Sequence, residues 1–373
     1  MIRFALRFIS YDKPKSLGVI LGIIISVFLV VQQTGIFLFL IGAMAALVNN
    51  TEADIWVVDS KTTDVNSMGH IDMRIGRQIE SIPGVKKAFP LVVSGGTARF
   101  SGGKSSPVQL IGVQPPGFKG GPWGVLSGEL ADLLEKGAVA VDVYESESLN
   151  NARVGTSFEI NGSRVFVSVL TKGARGFGST FVFTTLSRAR SLGNVPENKA
   201  SAFLIDVEQG FEPEQVRDRI NENIFPVRAW TKQGFSRSTV MTILSTSGIA
   251  FSIGTLILFA AISGVVIIGL TMYSAAVDRL RDYGTLKAIG AGNSYIRSLI
   301  LTQAVFFALL GYGAAIILIE GFKRGIAGSG ILFEFSLGLK VAFILVTVFI
   351  SLGGAAFAMR RISKVEPASV FRA

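Results

Sequence analysis

The chain has 373 residues, 49% of them hydrophobic and 17% charged, with a mean hydropathy of +0.52 and a formal net charge of +10. So little charge on so apolar a chain excludes an ordinary soluble protein of one or two domains. The absence of cysteine and the single histidine, His70, exclude a disulfide framework, a thiolate or His-cluster metal site and a His-based triad. The basic residues flank apolar stretches and are not interleaved with aromatics, so they read as membrane-flanking charge and no nucleic-acid partner is expected.

In chain order, residues 1–15 mix apolar and basic side chains in Phe4-Ala5-Leu6-Arg7-Phe8-Ile9 before meeting Pro14. This suits either a short amphipathic helix on membrane lipid or a plain charged flank. A membrane helix needs about 20 mostly apolar residues to cross a core of about 30 Å. Four stretches qualify: residues 16–51, 238–277, 298–319 and 341–359. The first two are too long, since 36 to 40 helical residues reach roughly 54–60 Å. They are therefore expected to be a span plus a stalk beneath the intervening domain, with a break at Gly35 or Gly248 as the competing account. Ala43-Met44-Ala45 resembles a signal-peptide cleavage site, but the preceding apolar run is about twice the usual length, so an uncleaved helix is expected.

Lysine and arginine set the orientation. Arg3, Arg7, Lys13 and Lys15 precede the first span; Arg279, Arg281, Lys287 and Arg297 join the second to the third; Arg360, Arg361, Lys364 and Arg372 follow the fourth. All three segments belong inside by the positive-inside rule, which puts both termini in the cytoplasm and residues 52–237 outside as one domain. Residues 320–340 become an outer loop, with Glu320 ending the third span at the interface, and residues 360–373 a cytoplasmic tail. The fold class is membrane α-helical, four transmembrane helices, with a large α/β (α+β) domain inserted between the first and second.

Within that domain, Ile55-Trp56-Val57-Val58 and Val139-Ala140-Val141 predict short buried strands. Asn161-Gly162 predicts a two-residue hairpin turn between residues 158–160 and 164–167. Residues 73–82 and 213–224 predict helices, the second with Pro213 in its first turn. Asp142, Glu145 and Glu147 read as a solvated loop or helix start rather than an acid–base pair. Phe100-Ser101-Gly102-Gly103-Lys104-Ser105 looks like the end of a phosphate-binding loop, but Ala98 stands where its first glycine belongs, so it reads as a hairpin turn. Gly173-Ala174-Arg175-Gly176-Phe177-Gly178 reads as a mobile loop. Trp123, Phe177, Phe181 and Phe183 read mostly as core. No nucleotide-binding or catalytic motif is found, so the chain is not expected to be an enzyme and no cofactor or metal is expected.

The most informative segment joins the second and third spans, residues 278–297. Read as a helix, Val277, Leu280, Gly284 and Ala288 share one face and Asp278, Arg281 and Asp282 another, with Gly290 as the stop. Both charge signs beside a small-residue seam suit docking against another protein. From Asp278 to Ala291 the sequence resembles the FtsX-like, MacB-type permeases, whose signature here is E-R-x-x-E-[aromatic or Ile]-G-x-[Leu/Met]-[Lys/Arg]-A-[Ile/Leu]-G-A. It departs only in having Asp278 and Asp282 in place of glutamates. The ending Val365-Glu366-Pro367-Ala368-Ser369-Val370-Phe371-Arg372 resembles the family's P-x-x-A-L-R. Val154-Gly155-Thr156, Asn161-Gly162 and Ile82-Pro83-Gly84-Val85 resemble its outer domain. Ala53-Asp54-Ile55-Trp56-Val57, with no fused ATPase, looks closest to the DevC-like subgroup.

The resemblance implies a bacterial inner-membrane permease with a periplasmic domain, paired as a homodimer or heterodimer and driven by a separate cytoplasmic ABC ATPase subunit that binds the ATP. Asp278, Arg279, Asp282, Tyr283, Gly284, Lys287 and Gly290 would couple it to that ATPase. It implies export or extraction of a hydrophobic or lipid-linked cargo, with a periplasmic adaptor and an outer-membrane channel as further partners. The alternative it leaves open is mechanotransmission to periplasmic cell-wall hydrolases.

Overall fold

The computed structural model describes residues 13–278 and 280–362; residues 4–9, Arg279 and the ending at 365–372 lie outside the described residues. In chain order, helix α1 spans Lys13–Met44 and α2 Ala46–Asn50, followed by β1 (Ile55–Asp59), β2 (Ile71–Asp72) and α3 (Arg74–Glu80). Strands β3 (Val85–Arg99), β4 (Ser105–Val113), β5 (Val125–Ser127), β6 (Ala138–Asp142), β7 (Ser157–Ile160), β8 (Ser163–Thr171) and β9 (Thr180–Thr185) come next. Then follow α4 (Leu186–Gly193), β10 (Lys199–Ala200), β11 (Ala202–Val207), α5 (Pro213–Asn223), β12 (Val227–Thr231) and α6 (Lys232–Ser247). The chain closes with α7 (Ile249–Asp278), α8 (Leu280–Ala288), α9 (Asn293–Ile326) and α10 (Leu337–Ile362). These elements form two compact units, one of residues up to Phe39 and from Ile249 onward, the other Leu40–Gly248.

The first unit holds the four apolar helices, with windows Ser16–Met44, Ile249–Asp278, Asn293–Ser329 and Leu337–Ala356 long and apolar enough to cross a membrane. In hydrocarbon the helices gain little from burying apolar surface against one another, so close packing through small residues holds them together. Gly264 of α7 lies against Ser26 of α1, whose hydroxyl donates to the Ala260 carbonyl at 2.8 Å. Gly311 of α9 leaves room for Ile23, and Gly354 of α10 for Ile268. Ser351 of α10 donates to the Ala304 carbonyl at 2.8 Å. Gly35 is helical, and its missing Cβ makes room for the Phe333 ring, so it serves packing and breaks nothing.

The overlong runs resolve differently from a straight stalk. The first is interrupted at Ala45, between α1 and α2, and the second at Gly248, which caps α6 in a left-handed conformation with φ +67°. Glycine takes that conformation without the steric cost that other residues meet. Helix α6 then packs as part of the second unit: Phe235 is buried against Trp56 and Trp230, and the Thr239 hydroxyl accepts from the Val65 amide at 3.1 Å. The third apolar helix runs past Glu320 to Ile326, and Glu320 pairs with Lys323 one turn on at 3.3 Å rather than ending the helix.

In the second unit one sheet runs β12-β1-β11-β3-β4-β9-β6-β8-β5, with β7 pairing both β3 and β8. Through β7 the strands β3, β4, β9, β6, β8 and β7 close into a six-stranded ring, which removes the edges that an open sheet leaves unpaired. Its interior is apolar, including Leu110, Val139, Val141, Phe158, Ile160, Val165 and Val167. The Asn161-Gly162 turn, with φ +48° and +82°, makes the β7–β8 hairpin as expected. Where β1 and β11 continue beyond the ring, α3 and α5 cover one face, while α2 and α6 lie on the other. Ile55 and Val57 therefore point into one core and Trp56 and Val58 into the second.

Two corrections concern the carboxylates after β6. Asp142 is 2% exposed and Glu145 9%, not solvated. Asp142 accepts from the Tyr144 amide at 3.0 Å, the Thr171 hydroxyl at 2.9 Å and the Ala174 amide at 2.7 Å. Glu145 accepts from Arg175 at 2.6 Å and the Thr180 hydroxyl at 3.0 Å. These bonds pin the glycine-rich run that the sequence suggests is mobile, and the Trp123 indole donates to the Gly173 carbonyl at 3.0 Å.

Two outcomes follow from this packing. Asp142→Ala leaves the buried Ala174 amide unpaired and the Thr171 hydroxyl with only the Val141 carbonyl at 3.4 Å, a loss of about 1–3 kcal/mol, and should speed proteolysis between residues 172 and 179 while Glu147→Ala does not. Gly264→Leu forces a side chain against Ser26 and should cost roughly 1–3 kcal/mol in a detergent unfolding titration. Gly254→Leu, on the same helix in open space, should leave that transition unchanged.

Candidate functional site

The connection between the second and third apolar helices is a short helix held from one side. Tyr283 of α8 is 5% exposed and lies in the same core as Met272 and Ala276 of α7 and Ile296, Leu299 and Ile300 of α9. Leu286 packs beside it, and Gly284 is buried. The packed face is therefore centred on Tyr283 rather than on the Gly284–Ala288 seam read from the sequence, and Val277 and Ala288 are exposed. The reason is area: an aromatic ring offers far more apolar surface to bury than glycine or alanine.

The end of α8 is fixed by a hydrogen-bonded stop. The Ala291 amide donates to the Leu286 carbonyl at 2.9 Å and the Gly290 amide to the Lys287 carbonyl at 3.0 Å. With Gly290 at φ +98°, this is the six-to-one, five-to-two pattern of a Schellman cap. Gly292 opens α9, accepting from the Tyr295 amide at 3.0 Å. Only residues 289–292 separate the two helices. Asp282 in the first turn and Lys287 in the last both favour the helix dipole.

Of the sequence-predicted coupling residues, Asp278 ends α7 and is exposed, Asp282 is exposed on α8, Lys287 is half-buried, and Gly290 forms the exposed stop. Tyr283 and Gly284 face inward, and Arg279 lies outside the described residues. Sequence reasoning missed Ile289, a large apolar side chain 76% exposed in the turn. Arg281, Asp282, Thr285 and Ile289 thus form an outward surface of mixed charge with an apolar tip, on a helix anchored by Tyr283. An isolated exposed apolar residue is ordinary; one at the tip of a rigid, charged turn offers a contact point for another protein.

Among the described residues there is no group of His, Asp or Glu placed to hold a metal ion. The Phe100 to Ser105 segment is the β3–β4 turn, closed by the Phe100 amide to the Lys104 carbonyl at 2.9 Å. Phe181 and Phe183 are core, with Trp123 edge-on to both.

Comparison with known proteins agrees with this architecture. Residues 16–223 match the family described as MacB-like periplasmic core domain, and residues 254–367 match FtsX-like permease C-terminal. No curated protein matches the chain. Among solved structures it is similar to the extracellular domain of the noncanonic ABC-type transporter YknZ from Gram-positive bacteria, with 15% identity, TM-score 0.35 and coverage of 48% of this chain and 99% of that one. It is also similar to the periplasmic region of MacB from Actinobacillus actinomycetemcomitans, with 10% identity, TM-score 0.39 and coverage of 54% and 98%. A domain of a permease protein described as putative from Porphyromonas gingivalis gives 12% identity, TM-score 0.34 and coverage of 48% and 88%. The two family matches between them take in the apolar helices, the inserted domain and the connecting helix. The chain therefore belongs to the MacB-like, FtsX-like family of ABC-transporter permeases, multi-pass proteins of the inner membrane whose work depends on a cytoplasmic ATPase.

Proposed function

We propose that α8 and the turn after it are the cytoplasmic docking element through which a separate ABC ATPase subunit drives this permease. The observation that carries the reading is the division of labour on α8: Tyr283 fastens it to the apolar helices while Arg281, Asp282, Thr285 and Ile289 face outward. A push on the outward face is then delivered to the core that α7 and α9 share, because Tyr283 is part of that core. Arg281, Lys287 and Arg297 on this connection support its cytoplasmic side, and with it cytoplasmic termini and a periplasmic inserted domain.

The cargo of this reading is hydrophobic or lipid-linked and is handled at the outer domain, not passed through the helices. In support, Ser26, Thr347 and Ser351, which are buried among the apolar helices, donate to helix carbonyls rather than line a polar path. Two permeases acting with two ATPase subunits, and a periplasmic adaptor leading to an outer-membrane channel, complete the proposed assembly.

The test is ATP hydrolysis by the cognate ATPase, purified with this chain in detergent. Asp282→Lys and Ile289→Asp change only exposed side chains; each should lower permease-dependent hydrolysis by about tenfold while the melting transition stays in place. Gly284→Trp is a less clean variant, because Gly284 is buried and the change disturbs packing as well. Full stimulation by folded Asp282→Lys and Ile289→Asp proteins would remove α8 from the coupling path.

A further inference from the structure

The closing strand of the ring carries a row of charge on its outer face. Arg99 of β3 stands in register with Glu159 of β7, and Glu159 with Arg164 of β8. Strand alternation sends Phe158 and Ile160 into the core and leaves Ser157 and Glu159 outside. Two clefts flank this row. One, of about 770 Å³, lies between it and the β3–β4 turn and includes Arg99, Ser105, Ser157 and Arg164. The other, of about 380 Å³, lies between it and α4 and includes Lys136, Arg164, Arg188 and Ser191. Ser157 and Arg164 belong to both, so the clefts meet over the β7–β8 hairpin.

Four cations line this trough against the single carboxylate of Glu159. Among the described residues, Arg99, Lys136 and Arg164 form no ion pair. Arg188 is held without a carboxylate: its guanidinium donates to the carbonyls of Leu133, Glu135 and Ala138 at 3.0, 2.7 and 2.8 Å and to the Thr184 hydroxyl at 3.1 Å. Burial pushes its pKa down, and no neighbouring acid offsets that. The fold thus fixes positive charge at one end of the trough, with the forks of Arg99 and Arg164 and several serine hydroxyls at the other. Guanidinium groups and hydroxyls approaching from three strands suit a tetrahedral oxyanion, which accepts from many directions, better than a planar carboxylate. The larger cleft lies in the range of about 300–1,000 Å³ typical of small-molecule sites, which leaves room for more than a bare ion.

We propose that this trough binds a phosphate ester, with the phosphoryl group between Arg164, Arg99 and Ser157 and the polar body of the ligand extending along the hairpin. The phosphoryl group comes from either a soluble sugar phosphate or a lipid headgroup, and two arms of one experiment separate these. The full chain is reconstituted in phosphatidylcholine nanodiscs and titrated with glucose 1,6-bisphosphate, with glucose as the uncharged control. In parallel it is floated with phosphatidylglycerol or phosphatidylcholine vesicles. The expected result is binding of the bisphosphate or of the phosphatidylglycerol vesicles, not of glucose or phosphatidylcholine, that weakens steeply with salt. Arg164→Ala should weaken it by roughly tenfold or more, Arg164→Lys by less, and Arg217→Ala on α5 not at all. Binding of the bisphosphate assigns a soluble source, and binding of vesicles alone a lipid headgroup. Lys136→Gln, exposed in the second cleft, gives the same answer should Arg164→Ala shift the melting transition. No binding in either arm, or binding that folded Arg164→Ala and Lys136→Gln proteins retain in full, overturns the proposal.

Discussion

A peptide N–H or C=O inside hydrocarbon finds no water to pair with, and leaving it unpaired costs several kcal/mol. The organisation of this chain follows from that constraint. Four long apolar helices satisfy their own backbone, and every described strand is gathered into one insertion between the first two. Because hydrocarbon gives the helices no hydrophobic reason to associate, they meet closely at Gly22, Gly264, Gly311 and Gly354, where a neighbouring helix occupies the place of a Cβ, and at serines that borrow a neighbour's carbonyl. Gln303 stands apart: buried among these helices, its side-chain nitrogen has no hydrogen-bond partner among the described residues.

The insertion solves the opposite problem, since in water an open sheet must protect its edges. Strand β7 does so by bridging β3 and β8, turning half the sheet into a ring with a continuous apolar interior. Asn161 locks the bridge: its own backbone makes the turn, its side chain accepts from the Thr97 amide at 2.9 Å, and it donates to the Leu192 carbonyl at 2.7 Å. The same closure lays the charged row of Arg99, Glu159 and Arg164 on the outside.

Much of this was legible in the sequence. The four spans are compositional, and the Asn161-Gly162 hairpin, the Pro213 helix start and the Gly290 stop each rest on a local backbone preference. What was not legible depends on partners far along the chain. Gly35 and Gly248 are both glycines in apolar runs; only the Phe333 ring against the first, and the left-handed cap at the second, decide which one breaks a helix. Asp142 and Glu145 look solvated because the residues that bury them lie about 30 positions away, at Thr171 to Thr180. On α8 the periodicity was sound, but small residues were weighted above Tyr283, and Ile289 drew no attention because an exposed isoleucine has no local signature.

The proposed role of α8 requires it to be fastened inward and offered to a cytoplasmic ATPase outward. The chain has no cysteine, so Ile289→Cys introduces its sole thiol at an exposed point of that surface. Labelling by a membrane-impermeant maleimide should occur in inside-out vesicles, not in intact spheroplasts, and should be blocked when the ATPase subunit is bound. Labelling from the outside, or labelling from the inside that the bound ATPase leaves unchanged, would contradict it.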